Sequence, residues 1–208
     1  MPDPWEPLLK VPGRTVYRVP APGASVYFVA DREAGGVLVN TPPFDTALAE
    51  AVAALAPIRY LFFPSRFGAC DVDRWRAHSG ARSLAFGPEV EAITGVVDIP
   101  LECKSRLTRT IDFLPMSGRT HGSCAMRLRN KPGVVFFGPV LQPGASGWPT
   151  LVPRPDDASY ENRLIGVLGL RDVRYEYAFT DVFEPGRTRF GPGAGPAVQA
   201  ELERVLGE

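Results

Sequence analysis

The purely apolar runs in this chain are short, and proline and glycine recur between them. That punctuation favours many brief elements over a few long helices. The 22 prolines and 21 glycines are spread along 208 residues and are not gathered into a linker. The chain therefore reads as one domain, 1–208, long enough to bury a substantial core.

In the first third the runs "RTVYRVP" (14–20), "ASVYFVA" (24–30) and "GGVLVN" (35–40) are β-branched or aromatic, as strands require. Asp45 is placed to cap a helix over 46–56, where Leu48, Val52 and Leu55 fall at helical spacing. "IRYLFF" (58–63) predicts a buried strand, and "VDRWRAHSG" a short helix ended by Gly80. Next come a strand at "RSLAF", a helical turn at "PEVEAIT" and a strand at "GVVDI" (95–99). "TIDFLP", "SCAMRLR" and "GVVFFG" predict three more strands. "PDDASYENRLIGVLGL" predicts a helix with a carboxylate cap, and "YEYAFT" a further strand. At the end, Pro196 near a first turn and Val198, Leu202 and Leu206 at four-residue spacing predict a closing amphipathic helix. Two strand-rich halves flanked by helices permit two sheets covered by helices.

Charge narrows the function classes. Lys plus Arg and Asp plus Glu number 23 each, so the chain lacks the basic footprint of a nucleic-acid or anionic-membrane binder. No stretch approaches the roughly 20 apolar residues of a membrane span. The opening "MPDPWEPLLKVPG" has neither a basic start nor an apolar core, so no signal peptide is expected there. Cys70, Cys103 and Cys124 are odd in number and form no CxxC pair, which argues against a disulfide framework and a cysteine zinc site. A reduced, cytoplasmic setting is expected.

The segment "FFPSRFGACDVDRW" (62–75) carries the functional question. It follows a strand and opens a helix, where α/β proteins place their chemistry, yet it offers a cysteine, arginines and carboxylates without a histidine. The order of several segments around it resembles the metallo-β-lactamase superfamily. "GGVLVNTPPFDTALAEAVAAL" is similar to that family's strand ending in Asp-Thr, with Asn40 at the aspartate. "IRYLFFPSRFGACDVDRWRAHSGAR" resembles its strand, metal loop and helix, "LPMSGRTHGSCAMRL" its Pro-Gly-His-Thr-Pro-Gly-Ser segment, and "GVVFFGPVL" its strand ending in Gly-Asp. "DVFEPGR" stands for the late Pro-Gly-His.

The resemblance implies an α/β (α+β) fold, a four-layer αββα sandwich, but not the chemistry. At the ligand positions it places Ser65, Asp71, Val72, Arg119, Pro139, and either Arg187 or Ala194, so only Asp71 survives. Catalytic zinc takes about three His, Cys or carboxylate ligands and an open position for water. Arginine, permanently charged, repels a divalent cation. No metal and no cofactor are therefore expected, and the zinc hydrolysis of the family is expected to be absent.

Asp71 at a helix start reads first as an N-cap, and second as a surviving carboxylate able to pair with Arg119. Arg119 reads as an internal ion-pair partner or, with Arg187, Ser65 and Arg66, as part of an anion site in the old cleft. Cys70 reads as a small buried residue before a nucleophile. Cys103 and Cys124 read as core or strand residues. His78 reads as exposed at a helix end, and His121 as a turn residue able to serve as an acid-base group. Ser65 and Ser123 read as loop hydrogen-bonders, and "GPGAG" (191–195) as a turn.

The function expected is a binding or scaffold role with a small anionic ligand. The alternative is a hydrolase rebuilt around Asp71, Arg119, His121 and Cys70. A structural subunit pairing with itself, as a homodimer, is the third reading.

Overall fold

The computed structural model describes residue 5 and residues 7–207. The expectation about a signal peptide falls partly on positions outside these. The chain divides into two compact units, Met1–Leu101 and Glu102–Glu208.

The first unit is one seven-stranded sheet. Its strands are β1 (Pro7–Val11), β2 (Arg14–Val19), β3 (Val26–Asp31), β4 (Gly35–Val39), β5 (Ile58–Phe63), β6 (Arg82–Phe86) and β7 (Ile99–Leu101), and they lie in sequence order. The first four pair antiparallel, whereas β4 to β7 run parallel. Parallel neighbours need crossovers. Helices α1 (Thr46–Leu55) and α2 (Val72–Ser79) supply the first two.

Local chemistry sets both helices. The Asp45 carboxylate accepts from the Leu48 amide at 2.8 Å, the expected cap. Gly80 ends α2 in the left-handed region, φ 68°, where a side chain would be strained. Strand β5 sits between two parallel neighbours, and Leu61, Phe62 and Phe63 are all buried, so its apolar residues run without alternation. Phe28, Leu38, Val52, Leu61, Phe63 and Trp75 form the helix-side core. Each such side chain contributes about 1.5–3 kcal/mol on burial. The Trp75 indole donates to the Pro42 carbonyl at 2.8 Å, satisfying its one polar group.

Two expectations need correction here. Strand β1, led by Pro7, has no counterpart in the sequence reading; it is an edge strand, where proline is tolerated. "GVVDI" is not a strand, because β7 begins only at Ile99. Asp98 instead turns its carboxylate to the Arg76 guanidinium at 2.5 Å and to Ser83, and Val96 is left 52% exposed.

The second unit holds β8 (Ile111–Pro115), β9 (Cys124–Leu128) and β10 (Val134–Gly138), a ribbon of β11 (Gln142–Pro143) and β12 (Pro149–Thr150), and β13 (Tyr177–Thr180). Its four-stranded sheet has the order β13-β10-β9-β8, with only the β10–β13 pair parallel. Helices α3 (Tyr160–Leu168) and α4 (Ala194–Gly207) complete it. Val135, Phe137, Leu141, Val167, Val198 and Leu202 belong to its core. Pro196 lies in the first turn of α4, as its missing amide allows.

The carboxylate cap expected for α3 is replaced. Ser159 caps the helix, accepting from the Asn162 amide at 3.1 Å, because Asp156 and Asp157 are committed to arginines. The fold is thus mixed α/β with several sheets, as expected.

Candidate functional site

The loop after β5 is tied down at nearly every residue. Ser65 is wholly buried and caps a 3-10 turn, Arg66–Gly68, with its hydroxyl accepting from the Phe67 amide at 3.3 Å. The Thr41 hydroxyl donates to the Cys70 carbonyl at 2.7 Å and accepts from the Cys70 amide at 3.0 Å. Ahead of it, Asn40 holds a left-handed φ of 64°, a conformation asparagine tolerates, and its amide donates to the Ser25 carbonyl at 2.9 Å. Gly68 presses on that side chain so closely that an added Cβ would fall 1.9 Å from Asn40 Oδ1.

Glu89 is a loop partner that sequence reasoning missed. It is wholly buried, accepts from the Arg66 amide at 2.8 Å, and lies 3.7 Å from the Arg66 guanidinium. It stands in "PEVEAIT", read only as a helical turn, and 23 residues from its partner no local pattern marks it.

Asp71 occupies the N-cap position of α2 but does not cap it. Its φ of 47° turns the carboxylate away from the helix amides, and Oδ2 accepts from the Phe44 amide at 2.8 Å instead. Arg74 lies 3.8 Å from the same oxygen in an exposed pair of small value. The expected cap is thus corrected to a tie between two segments. Val72, next along, is buried and apolar.

A pocket of about 300 Å³ opens beside this loop, lined by Phe67, Gly68, Cys70, Thr41, Pro42 and Pro22 among others. Neither Asp71 nor a histidine lines it. His78 is exposed in the last turn of α2, as expected, with its ring edge-on to Phe44 at 5.4 Å.

In the second unit Arg119 is buried and engaged. Its guanidinium donates to the Asp156 carboxylate at 2.7 Å and to the Asp156 carbonyl at 3.1 Å, and lies 3.5 Å from Asp157. That hydrogen bond holds the Asp156 carboxyl below its ordinary range. Asp157 in turn accepts from Arg163, whose fully buried guanidinium also donates to the carbonyls of Val140 and Val152 at 2.6 and 2.9 Å. Arg163 was not singled out in the sequence. Gly118 lets these segments meet, because a Cβ there would lie 2.4 Å from both the Arg163 amide nitrogen and the Ser159 carbonyl oxygen.

His121 is exposed in the turn after Thr120. Ser123 is buried and donates to the Met116 carbonyl at 2.8 Å, the loop role expected of it. Pro139 is buried. Arg187 is 64% exposed and pairs with Glu184 at 2.9 Å. Ala194 opens α4 and is buried, so "GPGAG" runs directly into a helix. Cys124 is a buried strand residue, whereas Cys103 is exposed in a turn, which corrects the core reading for that residue.

These positions do not fit a catalytic zinc. The Ser65 hydroxyl and one Asp71 oxygen, Oδ2, accept from backbone amides, Val72, Pro139 and Ala194 have no side-chain donor, and the arginines repel a cation. Among the described residues no group of three or more His, Cys, Asp or Glu side chains is placed to hold a metal ion.

No family model and no curated protein matches the chain. Solved structures do. A B3 metallo-β-lactamase described as having an active-site glutamic acid aligns over 99% of this chain and 90% of its own, with a TM-score of 0.69 and 18% identity. BJP-1, a subclass B3 metallo-β-lactamase of Bradyrhizobium japonicum, covers 98% and 94%, with a TM-score of 0.64 and 15% identity. A Cronobacter sakazakii metallo-β-lactamase with a HARLDQ motif covers 86% and 78%, at 0.63 and 17%. Identities this low speak for the fold.

Proposed function

We propose that this chain, which has the metallo-β-lactamase fold, is not a zinc hydrolase and acts by binding or as a scaffold. The observation that carries this reading is the engagement of Arg119. Its guanidinium is buried and paired with Asp156 and Asp157; if Arg119 takes the place of a metal-ligand histidine, as the resemblance implies, a fixed protein cation occupies the position of an exchangeable one. Fold likeness alone says nothing for hydrolysis.

An anion is the ligand class this reading assigns to the chain, with Arg66 in the first unit and Arg187 in the second as exposed guanidiniums able to meet one. Three free thiols suit a reducing, cytoplasmic compartment. No helix among the described residues is long and apolar enough to cross a membrane.

Elemental analysis of protein purified without chelators, before and after adding zinc and manganese, tests the proposal. The expected result is near-zero metal in both samples. Stoichiometric metal would overturn it and direct effort to hydrolase assays.

A further inference from the structure

The second unit carries a pocket that the candidate site does not use. Its volume is about 350 Å³, at the lower end of the range for small-molecule sites. Leu170, Val173 and Pro196 give it apolar walls, and Arg171 and Arg174 stand at its rim. Both arginines are exposed, and neither guanidinium has an ion pair or hydrogen bond among the described residues. Tyr175 also lines the pocket. It is 6% exposed, with its ring edge-on to Phe137 at 5.7 Å, and its phenol makes no hydrogen bond among the described residues.

The balance of charge points one way. Two guanidiniums face one carboxylate, that of Glu176, which already accepts from the Gly193 amide at 3.2 Å. The positive end of the 14-residue helix α4 adds to them, because Gly195 and Pro196 of its first turn line the same space. Burial pushes the phenol up, so it stays protonated and able to donate. A bare inorganic anion would leave the apolar walls wet, and a neutral ligand would leave the guanidiniums unpaired.

We propose that this pocket binds a small organic carboxylate with an apolar body. Arg171 and Arg174 hold the carboxylate, the Tyr175 hydroxyl donates to it, and Leu170, Val173 and Pro196 cover the body. None of the candidate ligand positions lines this pocket, so it stands or falls independently of the metal analysis.

Calorimetric titration of the full chain with benzoate, benzyl alcohol and inorganic phosphate decides it. Benzoate is expected to saturate with a Kd of about 1 mM, and the other two to bind about tenfold more weakly. The Arg171→Gln/Arg174→Gln double variant and Tyr175→Phe are each expected to weaken benzoate about tenfold, as loss of a hydrogen bond to a charged group does. Tyr175→Phe should leave the melting temperature unchanged, since the phenol has no internal partner to lose. No saturable benzoate binding, phosphate binding as tightly as benzoate, or binding indifferent to both variants would each overturn the proposal.

Discussion

Arg163 and Asp157 form an ion pair 2.5 Å apart in which the guanidinium is wholly buried and the carboxylate side chain only 3% exposed. Removing one partner of such a pair leaves the other charge uncompensated, at a cost of about 3–5 kcal/mol. Arg163→Met also strips the Val140 and Val152 carbonyls of their donor. The expected outcome is a loss of that size in denaturant unfolding. Arg119→Met should cost less, about 1–3 kcal/mol, because Asp156 remains 62% exposed to water.

Asp98 predicts a limb in the acid stability profile. The Arg76 hydrogen bond, helped by Ser83, holds its carboxyl far below the ordinary carboxylate range. The folded state therefore favours the ionised form. Its contribution is full above the unfolded value of about 4 and is lost as pH falls towards the depressed folded value. Asp98→Asn should lower stability at neutral pH by about 2 kcal/mol and flatten the profile below pH ~4. Denaturation midpoints measured across that range would show whether the two curves converge at low pH.

Gly68→Ala should destabilise the first unit by about 1–3 kcal/mol, since the new methyl meets Asn40 and overpacking costs that much. Shortening the neighbour supports the assignment: in an Asn40→Gly background the same change should cost clearly less. A double-mutant cycle on thermal unfolding reads the coupling directly.

At Asp71 the order of three substitutions is diagnostic. Asp71→Asn keeps an acceptor for the Phe44 amide and tolerates the left-handed φ, so its effect should be small. Asp71→Gly loses the acceptor alone, about 1 kcal/mol. Asp71→Ala loses the acceptor and adds about 1 kcal/mol or more of backbone strain. A conventional helix cap would instead make glycine cost only a few tenths.

What the sequence revealed depended on the range of the interaction. Helix α1 was legible because its cap, Asp45, lies within a turn of the amide it serves, and β5 because an apolar run between parallel neighbours needs no partner pattern. "GVVDI" failed as a strand because Asp98 answers to Arg76, 22 residues earlier. The cap of α3 was misassigned for the same reason: Asp157 belongs to Arg163 and Asp156 to Arg119, 37 residues away. Glu89, 23 residues from Arg66, carried no local signal.

The stitching of the loop after β5 has a consequence for proteolysis. A protease needs an extended, detachable stretch of backbone, and residues 65–71 offer none while Thr41 grips Cys70 on both its amide and its carbonyl. Arg66 presents trypsin with an exposed side chain on a segment that cannot be drawn out. Cleavage there requires the surrounding sheet to open first, so the rate of nicking at Arg66 becomes a clock for the opening of the first unit.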